Sequence, residues 1–182
     1  MKTIKKIKIV IAGPFSAGKT QFINTVSEIK TVKTERKTRA EGEKAVKEHT
    51  TVAMDFGKIR IDDEHELYLF GTPGQSRFDF MWEILGEGAL GIIVLVDSTD
   101  PSTFHEATRI INYFQSRYSV PMVVGANKQD LPNAWSPRDV ATALNISESE
   151  NIPVVPVSAI DKEMVKETLI RLLELIRDEL VS

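Results

Sequence analysis

A glycine-rich segment near the N-terminus has the residue types and the spacing of a phosphate-binding loop. Residues 13–20 read GPFSAGKT and match the pattern G-x-x-x-x-G-K-[ST]. Glycine lets backbone N–H groups approach phosphate oxygens closely, and the N-terminus of a following helix adds partial positive charge. Lys19 can reach the β- and γ-phosphates of a nucleotide, and the hydroxyl of Thr20 can bind Mg²⁺. Because a strand is predicted before the segment and a helix after it, a chance glycine-rich turn explains it poorly.

A second polar segment, at 127–130, has residues that can distinguish between nucleotide bases. It reads NKQD and directly follows an apolar run at 122–126, and ligands of parallel sheets lie at the carboxyl ends of strands. The Asp130 carboxylate can accept hydrogen bonds from the ring N–H and the exocyclic amine of guanine, whereas adenine offers no such pair of donors. Lys128 would stack its stem over the base, and Asn127 would brace the loop. A polar turn at the end of a strand is the alternative explanation.

The elements that must position these segments alternate along the chain. A short acidic connection between two of the predicted strands suits a hairpin. Alternating strands and helices imply right-handed crossovers. We therefore predict an α/β fold, with a six-stranded, mostly parallel sheet, one antiparallel hairpin strand, five helices and helices on both faces. The strands are expected at 7–11, 51–61, 65–70, 89–96, 122–126 and 152–157. Helices are expected near 19–29, 102–117 and 137–144, and the clearest one at 165–180.

Length and composition exclude several classes of protein. The chain has 182 residues and is expected to form a single domain over 1–182. With 23 Lys and Arg against 26 Asp and Glu it is slightly acidic, so we expect no nucleic-acid partner. The absence of Cys excludes disulfides, thiolate catalysis and Cys-bound metals. The longest apolar run, at 88–96, is about half of the ~20 residues that a membrane span needs. We expect a cytoplasmic protein with no direct membrane anchor, because neither a signal peptide nor a lipidation motif is present.

A charged segment interrupts the alternation of strands and helices. Residues 30–48 contain many Lys, Arg and Glu, and their only larger aliphatic residues are Val32 and Val46. A segment that can bury so little apolar surface is expected to be a mobile loop. Long loops in compact domains are usually functional or disordered, and a passive insertion is the alternative.

Five stretches of the chain resemble, in order, the motifs of Ras-like small GTPases, and the resemblance covers essentially all residues. The phosphate loop is the first, and the NKQD segment is the fourth. The stretch TVAMDF at 51–56 resembles the end of switch I in Rab-type members and places the Mg²⁺-binding threonine at Thr51, with Thr50 as the competitor. The stretch GTPGQ at 71–75 resembles switch II, and VSA at 157–159 resembles the last guanine-contacting loop. Within the superfamily, these stretches look most like prokaryotic, MglA-like members.

The resemblance implies a molecular switch that binds GTP or GDP with Mg²⁺ and hydrolyses GTP. Gln75 would orient the attacking water, the Gly74 amide would sense the γ-phosphate, and Lys19 with Mg²⁺ would stabilise the developing charge. The implied metal ligands are Thr20 and Thr51. The implied nucleotide-binding residues are Gly13, Pro14, Phe15, Ser16, Ala17, Gly18, Lys19, Thr20, Gln21, Thr51, Gly74, Asn127, Lys128, Asp130, Ser158 and Ala159.

Three features depart from the pattern of that superfamily. Position 71 is Gly71, where members usually have an Asp that holds Mg²⁺ through a water, so metal binding would rest on the two threonines, the phosphates and extra waters. Asp97 could help there but is more typical of a strand end. Phe15 is bulky where many members have Gly, and it could crowd the γ-phosphate site and slow hydrolysis. The extended switch I loop over 30–50 would order or shift with the nucleotide state.

Partners and rival functions follow from the same residues. No arginine finger is assured within the chain, because Arg77, Arg36 and Arg39 are weak candidates. We therefore expect a GTPase-activating partner, which by resemblance could be a Roadblock-type dimer, and a protein effector. The apolar residues at 78–82 (Phe78, Phe80, Met81, Trp82) suggest either a partner site or simple packing on the sheet. The rivals are a GTP-binding scaffold with little intrinsic hydrolysis and an ATP-using P-loop enzyme such as a small kinase.

Overall fold

The chain folds into one twisted sheet with helices on both faces. The computed structural model describes residues 3–30, 32–39, 49–74 and 79–181, with the backbone alone at 32–39 and 49–53. Its strands are β1 Lys5–Ala12, β2 Val32–Arg39, β3 His49–Arg60, β4 His65–Gly71, β5 Gly91–Asp97, β6 Met122–Asn127 and β7 Val154–Pro156. Its helices are α1 Lys19–Val26, α2 Met81–Gly86, α3 Phe104–Arg117, α4 Pro137–Ala143 and α5 Lys162–Val181.

The sheet is mostly parallel, and the predicted fold class is confirmed. Its strand order is β2-β3-β4-β1-β5-β6-β7. Strands β4, β1, β5, β6 and β7 run parallel to one another, and β3 pairs antiparallel with both β2 and β4. The six predicted strands are all present. The described sheet has seven strands because β2 joins it at the edge.

The mobile loop predicted over 30–48 is wrong for residues 32–39, which form β2. The backbone of β2 pairs with β3 along its whole length, from Val32 opposite Phe56 to Arg39 opposite His49. An edge strand needs a partner on one side only, and Lys-rich edges are common in natural sheets. The lack of aliphatic residues therefore did not prevent a strand. The extended switch I segment predicted at 30–50 thus contains β2 and the start of β3, while residues 40–48 lie outside the described part of the chain.

Two apolar layers enclose the sheet. Along β1, Ile9 and Ile11 pack with α1 and α5 on one face, whereas Val10 and Ala12 pack with α2, α3 and α4 on the other. Every residue of β5 is buried, as expected for a central strand that is covered on both faces. The central strands are therefore rigid supports for the loops at their carboxyl ends. No helix among the described residues has the length and apolar character needed to cross a lipid bilayer.

Candidate functional site

The phosphate-loop segment turns sharply between the end of β1 and the start of α1. Gly13 has φ 150° and Gly18 has φ 102°, and Ser16 between them also has a positive φ of 65°. A Cβ at Gly13 would lie 2.5 Å from the carbonyl oxygen of Leu95, so a side chain there would collide with β5. The first N–H groups of α1 have no acceptor within the helix, and they open onto this loop. The backbone is therefore shaped to receive an anion at the N-terminus of α1.

The Lys19 side chain folds back over the loop. It is 8% exposed, and its Nζ donates hydrogen bonds to the carbonyl oxygens of Gly13 (2.6 Å) and Pro14 (2.8 Å). Burial lowers the pKa of Lys19 to about 8, and the nearby Asp55 carboxylate opposes that shift. The ammonium group therefore gives up its proton at a lower pH than an ordinary lysine does. A phosphate would supply the negative charge that its surroundings provide only in part.

Asn127 ties the phosphate loop to the loop after β7. It is 1% exposed at the end of β6. Its Nδ2 donates to the carbonyl oxygen of Ala17 (2.8 Å), and its Oδ1 accepts from the N–H of Ala159 (3.0 Å). A Cβ at Gly18 would lie 2.2 Å from this Nδ2, so the glycine permits the close approach. The brace predicted for Asn127 is thus present as two hydrogen bonds.

Asp130 and Ser158 lie side by side at the same edge of the sheet. The Ser158 hydroxyl donates to Oδ1 of Asp130 at 3.0 Å, and the N–H of Gln129 donates to the carbonyl of Val157 at 3.1 Å. Asp130 is exposed, so its carboxylate keeps acceptor positions toward solvent. The two loops predicted to contact a base therefore meet next to the phosphate loop.

Lys128 is held by Asp97 rather than pointing freely into solvent. Lys128 has a positive φ of 68°, and its Nζ lies 2.7 Å from Oδ2 of Asp97. Burial raises the pKa of the Asp97 carboxyl, but hydrogen bonds from Lys128 and Thr99 outweigh that effect and leave the pKa below its usual value. Asp97 thus orients Lys128 in the loop predicted to contact a base, and its hydrogen bonds in the described structure go to Lys128 and Thr99 rather than to Thr20.

Near the start of α1 the structure reveals a carboxylate that sequence reasoning missed. The hydroxyl of Thr20 donates a hydrogen bond to Oδ2 of Asp55 on β3. Asp55 lies between Met54, which is buried, and Phe56, which is half-buried. A charged residue between two apolar neighbours in the strand was the available signal. The donor set of a hydroxyl and a carboxylate beside a phosphate loop suits Mg²⁺, which prefers oxygen ligands.

One of the predicted switch II residues, Gly74, lies against the phosphate loop. A Cβ at Gly74 would lie 2.8 Å from Cα of Phe15 and 3.2 Å from Nζ of Lys19. Gly74 is therefore close to the position expected for a terminal phosphate. The Phe15 side chain is 63% exposed beside it. The predicted catalytic Gln75 and the candidate Arg77 lie outside the described residues.

Other predicted site residues have local roles in the structure. The Gln21 side chain donates to the hydroxyl of Thr25 (3.0 Å) along α1, which places it beside the loop rather than in it. Thr51 lies in the backbone of β3 opposite Lys37. Gly71 ends β4 and has no side chain that could supply an oxygen ligand. At Arg36 and Arg39 the structure gives the backbone of β2 only.

The apolar segment at 78–82 is partly explained by packing. Met81 and Trp82 are buried against the sheet, while Phe80 is 49% exposed and Phe78 lies outside the described residues. The Arg109 guanidinium lies 4.9 Å from the Trp82 ring and forms an ion pair with Asp79. Two of the four apolar residues therefore belong to the core, and Phe80 alone of the described ones faces solvent.

Comparison with known proteins gives the family of the chain. The family model described as "Conserved hypothetical ATP binding protein" matches residues 32–179. An uncharacterized protein of Methanocaldococcus jannaschii is 31% identical over 126 residues, which are 69% of this chain and 72% of that protein. ADP-ribosylation factor-like protein 3 of Saccharomyces cerevisiae is 27% identical over 173 residues, or 91% of this chain and 83% of that protein. The resemblance to MglA-like members stays a prediction.

The solved structures support the same placement at the level of the fold. The Arl6 BBS3 small GTPase from Trypanosoma brucei, solved with the nucleotide analogue GppNp, superimposes with a TM-score of 0.72 at 19% identity. The match covers 96% of this chain and 99% of that one. The chain belongs to the family described as conserved hypothetical ATP binding proteins, within the Ras-like P-loop GTPase superfamily.

Proposed function

We propose that this protein is a GTP-binding molecular switch that hydrolyses GTP to GDP and phosphate with Mg²⁺, as one domain over 1–182. The observation that carries the proposal is the pair formed by Asp130 and Ser158, which Asn127 ties to the phosphate loop. One bound nucleotide could then contact a base-reading carboxylate and a phosphate cradle together. Related small GTPases in both sequence and fold comparisons support this reading.

The chemistry of Asp130 favours guanine over adenine, although the family description mentions ATP. An ionised carboxylate only accepts hydrogen bonds. Guanine presents two adjacent donors at one edge, whereas adenine presents a ring nitrogen acceptor there, which a carboxylate would leave unpaired. An unpaired polar contact costs about 1–3 kcal/mol. An ATP-using enzyme is therefore the weaker reading of this site.

The residues of the chain have distinct parts in the proposed hydrolysis. Lys19 would bind the β- and γ-phosphates, the Gly74 N–H would contact the terminal phosphate, and Gln75 would hold the attacking water in line. Thr20 and Thr51 would hold Mg²⁺. When bound, this ion neutralises charge on the phosphates. We infer that a partner protein accelerates the reaction, and by resemblance a Roadblock-type dimer is the candidate.

A second candidate is a scaffold that holds GTP and scarcely hydrolyses it. Two observations favour it: Gly71 presents no side chain to the metal site, and Cα and Cβ of the exposed Phe15 lie against Gly74. In either case an effector would recognise the GTP-bound form. The two candidates differ in turnover and not in nucleotide binding.

The first experiment tests base selectivity. Fluorescently labelled GDP and ADP are titrated into the purified protein, Asp130→Asn, and the control Asp139→Asn, which alters an exposed residue of α4. We expect tight GDP binding, much weaker ADP binding, and a loss of GDP affinity of about 10–100-fold in Asp130→Asn alone, because charged hydrogen bonds contribute about 1.5–3 kcal/mol. Equal affinity of the unaltered protein for GDP and ADP would refute guanine recognition.

The second experiment tests hydrolysis. Phosphate release is followed in a single turnover with GTP and Mg²⁺, first without any partner. Release that is abolished by Gln75→Leu, with GTP still bound, supports the switch. GTP that remains bound and intact, both alone and with candidate Roadblock-type dimers, supports the scaffold.

A further inference from the structure

A carboxylate, a hydroxyl and an ammonium group meet where β3 passes the start of α1. The Thr20 hydroxyl donates its hydrogen to Oδ2 of Asp55, which is half-buried. The negative charge of Asp55 also acts on Lys19, whose pKa it holds up against the effect of burial. Asp55 thus interacts with two neighbouring residues of the phosphate loop, although it lies 35 positions after Thr20 in the chain.

The position beside Asp55 on the next strand is empty of side-chain atoms. Phe56 pairs with Phe70, so Asp55 and Gly71 face each other one step further along the β3–β4 ladder. A Cβ at Gly71 would lie 3.3 Å from Cβ of Asp55 and 3.7 Å from its Oδ2. The carboxylate of Asp55 therefore borders the space that a side chain from Gly71 would enter.

The other nearby candidate for an acidic ligand is already engaged. Asp97 accepts hydrogen bonds from Lys128 (2.7 Å) through Oδ2 and from Thr99 (2.6 Å) through Oδ1. Among the described residues, Asp55 is the carboxylate that pairs with Thr20. The described part of the chain contains no group of three or more His, Cys, Asp or Glu side chains placed to hold a metal ion, so the protein's contribution to a metal site rests on few residues.

We propose that Asp55 is the acidic residue of the Mg²⁺ site, a role that rests on the function proposed above. By accepting the hydrogen of Thr20, Asp55 leaves the lone pairs of that hydroxyl for the metal, and its remaining oxygen can accept a hydrogen from a metal-bound water. Mg²⁺ keeps several waters in proteins and is usually bound through one or two carboxylates, so a carboxylate in this role fits its chemistry.

This assignment connects the metal to β3. Asp55 lies four residues after Thr51 in the same strand, and β3 is the strand that carries β2 at the edge of the sheet. A change in the metal site would therefore act directly on the backbone that contains the predicted switch I threonine. The alternative is that the Thr20–Asp55 hydrogen bond only fastens β3 to α1.

The test measures how Mg²⁺ slows the release of fluorescently labelled GDP. For each variant, the Mg²⁺ concentration that gives half of the maximal slowing is determined, and GDP affinity is measured separately in excess chelator. The variants are Asp55→Asn, Asp55→Ala and the control Asp63→Asn, whose side chain is 97% exposed in the β3–β4 connection. We expect the half-maximal Mg²⁺ concentration to rise about tenfold or more in both Asp55 variants, the range for losing an outer-sphere partner of a metal. Asp63→Asn should behave as the unaltered protein does.

A double variant moves the carboxylate to the neighbouring strand. The variant that combines Asp55→Ala with Gly71→Asp removes the original carboxylate and adds a new one, whose Cβ would lie 3.7 Å from the former position of Oδ2. It should recover most of the lost Mg²⁺ response. It also keeps the proposal testable if Asp55→Asn does not fold. Asp55 variants that bind GDP and keep a half-maximal Mg²⁺ concentration within about threefold of the unaltered protein would overturn the proposal and leave a purely structural tie. Failure of Mg²⁺ to slow GDP release from the unaltered protein would instead contradict the proposed function.

Discussion

Lys19 is expected to make the stability of the nucleotide-free protein depend on pH. Its side chain is buried over the phosphate loop, and burial lowers its pKa from 10.5 to about 8. Below about pH 8 both the folded and the unfolded chain carry the charged form, so Lys19 contributes no pH dependence. Between about pH 8 and 10.5 the unfolded chain binds a proton that the folded chain has released. The free energy of unfolding must therefore rise with pH across this window.

The size of this effect follows from the shift. One pKa unit corresponds to about 1.4 kcal/mol. At about pH 9, which is one unit above the folded pKa, the gain over neutral pH is roughly 1 kcal/mol. A bound phosphate stabilises the charged form and raises the pKa again, so nucleotide binding takes up a proton. Nucleotide affinity is consequently expected to fall roughly tenfold between about pH 7 and pH 9.

Urea unfolding of the nucleotide-free protein at several pH values tests the reasoning. The difference between the unaltered protein and Lys19→Met isolates this residue, because other titrating groups contribute equally to both. Lys162→Met, at the exposed start of α5, is the matched control and should show the full pH dependence. Parallel curves for the unaltered protein and Lys19→Met would show that folding does not lower the pKa of Lys19 and would refute the argument.

Two further predictions concern the supports of the site. Asn127→Ala removes the hydrogen bonds to Ala17 and Ala159. It should lower the free energy of unfolding, measured by urea denaturation, by about 1–3 kcal/mol, and should weaken GDP binding in a fluorescence titration. Unchanged stability would mean that the brace contributes nothing. Gly57→Ala would place a Cβ 2.5 Å from Cγ2 of Ile23 and should destabilise the β3–α1 packing by about 1–3 kcal/mol. An unaltered urea midpoint for that variant would contradict the tight contact.

The sequence predicted the parts of the fold whose signals are local. Buried side chains reveal β1 through its alternating Ile residues and β5 through its continuous apolar run, so both strands were expected where they occur. β2 was missed because its own residues do not indicate a strand. This edge strand, rich in Thr, Lys and Arg, forms by pairing its backbone with β3 and not by burying side chains. Burial patterns cannot reveal such a strand.

In the candidate site, too, the residues predicted from the sequence are those whose signals are local. The GPFSAGKT and NKQD segments were recognisable because each does its proposed chemistry within a few consecutive residues, and the structure brings them together through Asn127. Asp55 was not recognised as part of the site because its partners, Thr20 and Gly71, are distant in the chain and meet only through the strand order. The one available clue was a carboxylate between two apolar residues of a predicted strand.

The strand order also determines how quickly the backbone amide hydrogens of each strand exchange with heavy water. β1 has a hydrogen-bonded neighbour on each side, β4 and β5, whereas β2 has β3 alone in the described sheet. Amides of β1 are thus expected to exchange only when the whole domain unfolds, while those of β2 need the loss of a single neighbour. The phosphate loop follows the best protected strand. The edge strand β2 can therefore exchange its backbone hydrogens many times while the strand that leads into the phosphate loop stays paired on both sides.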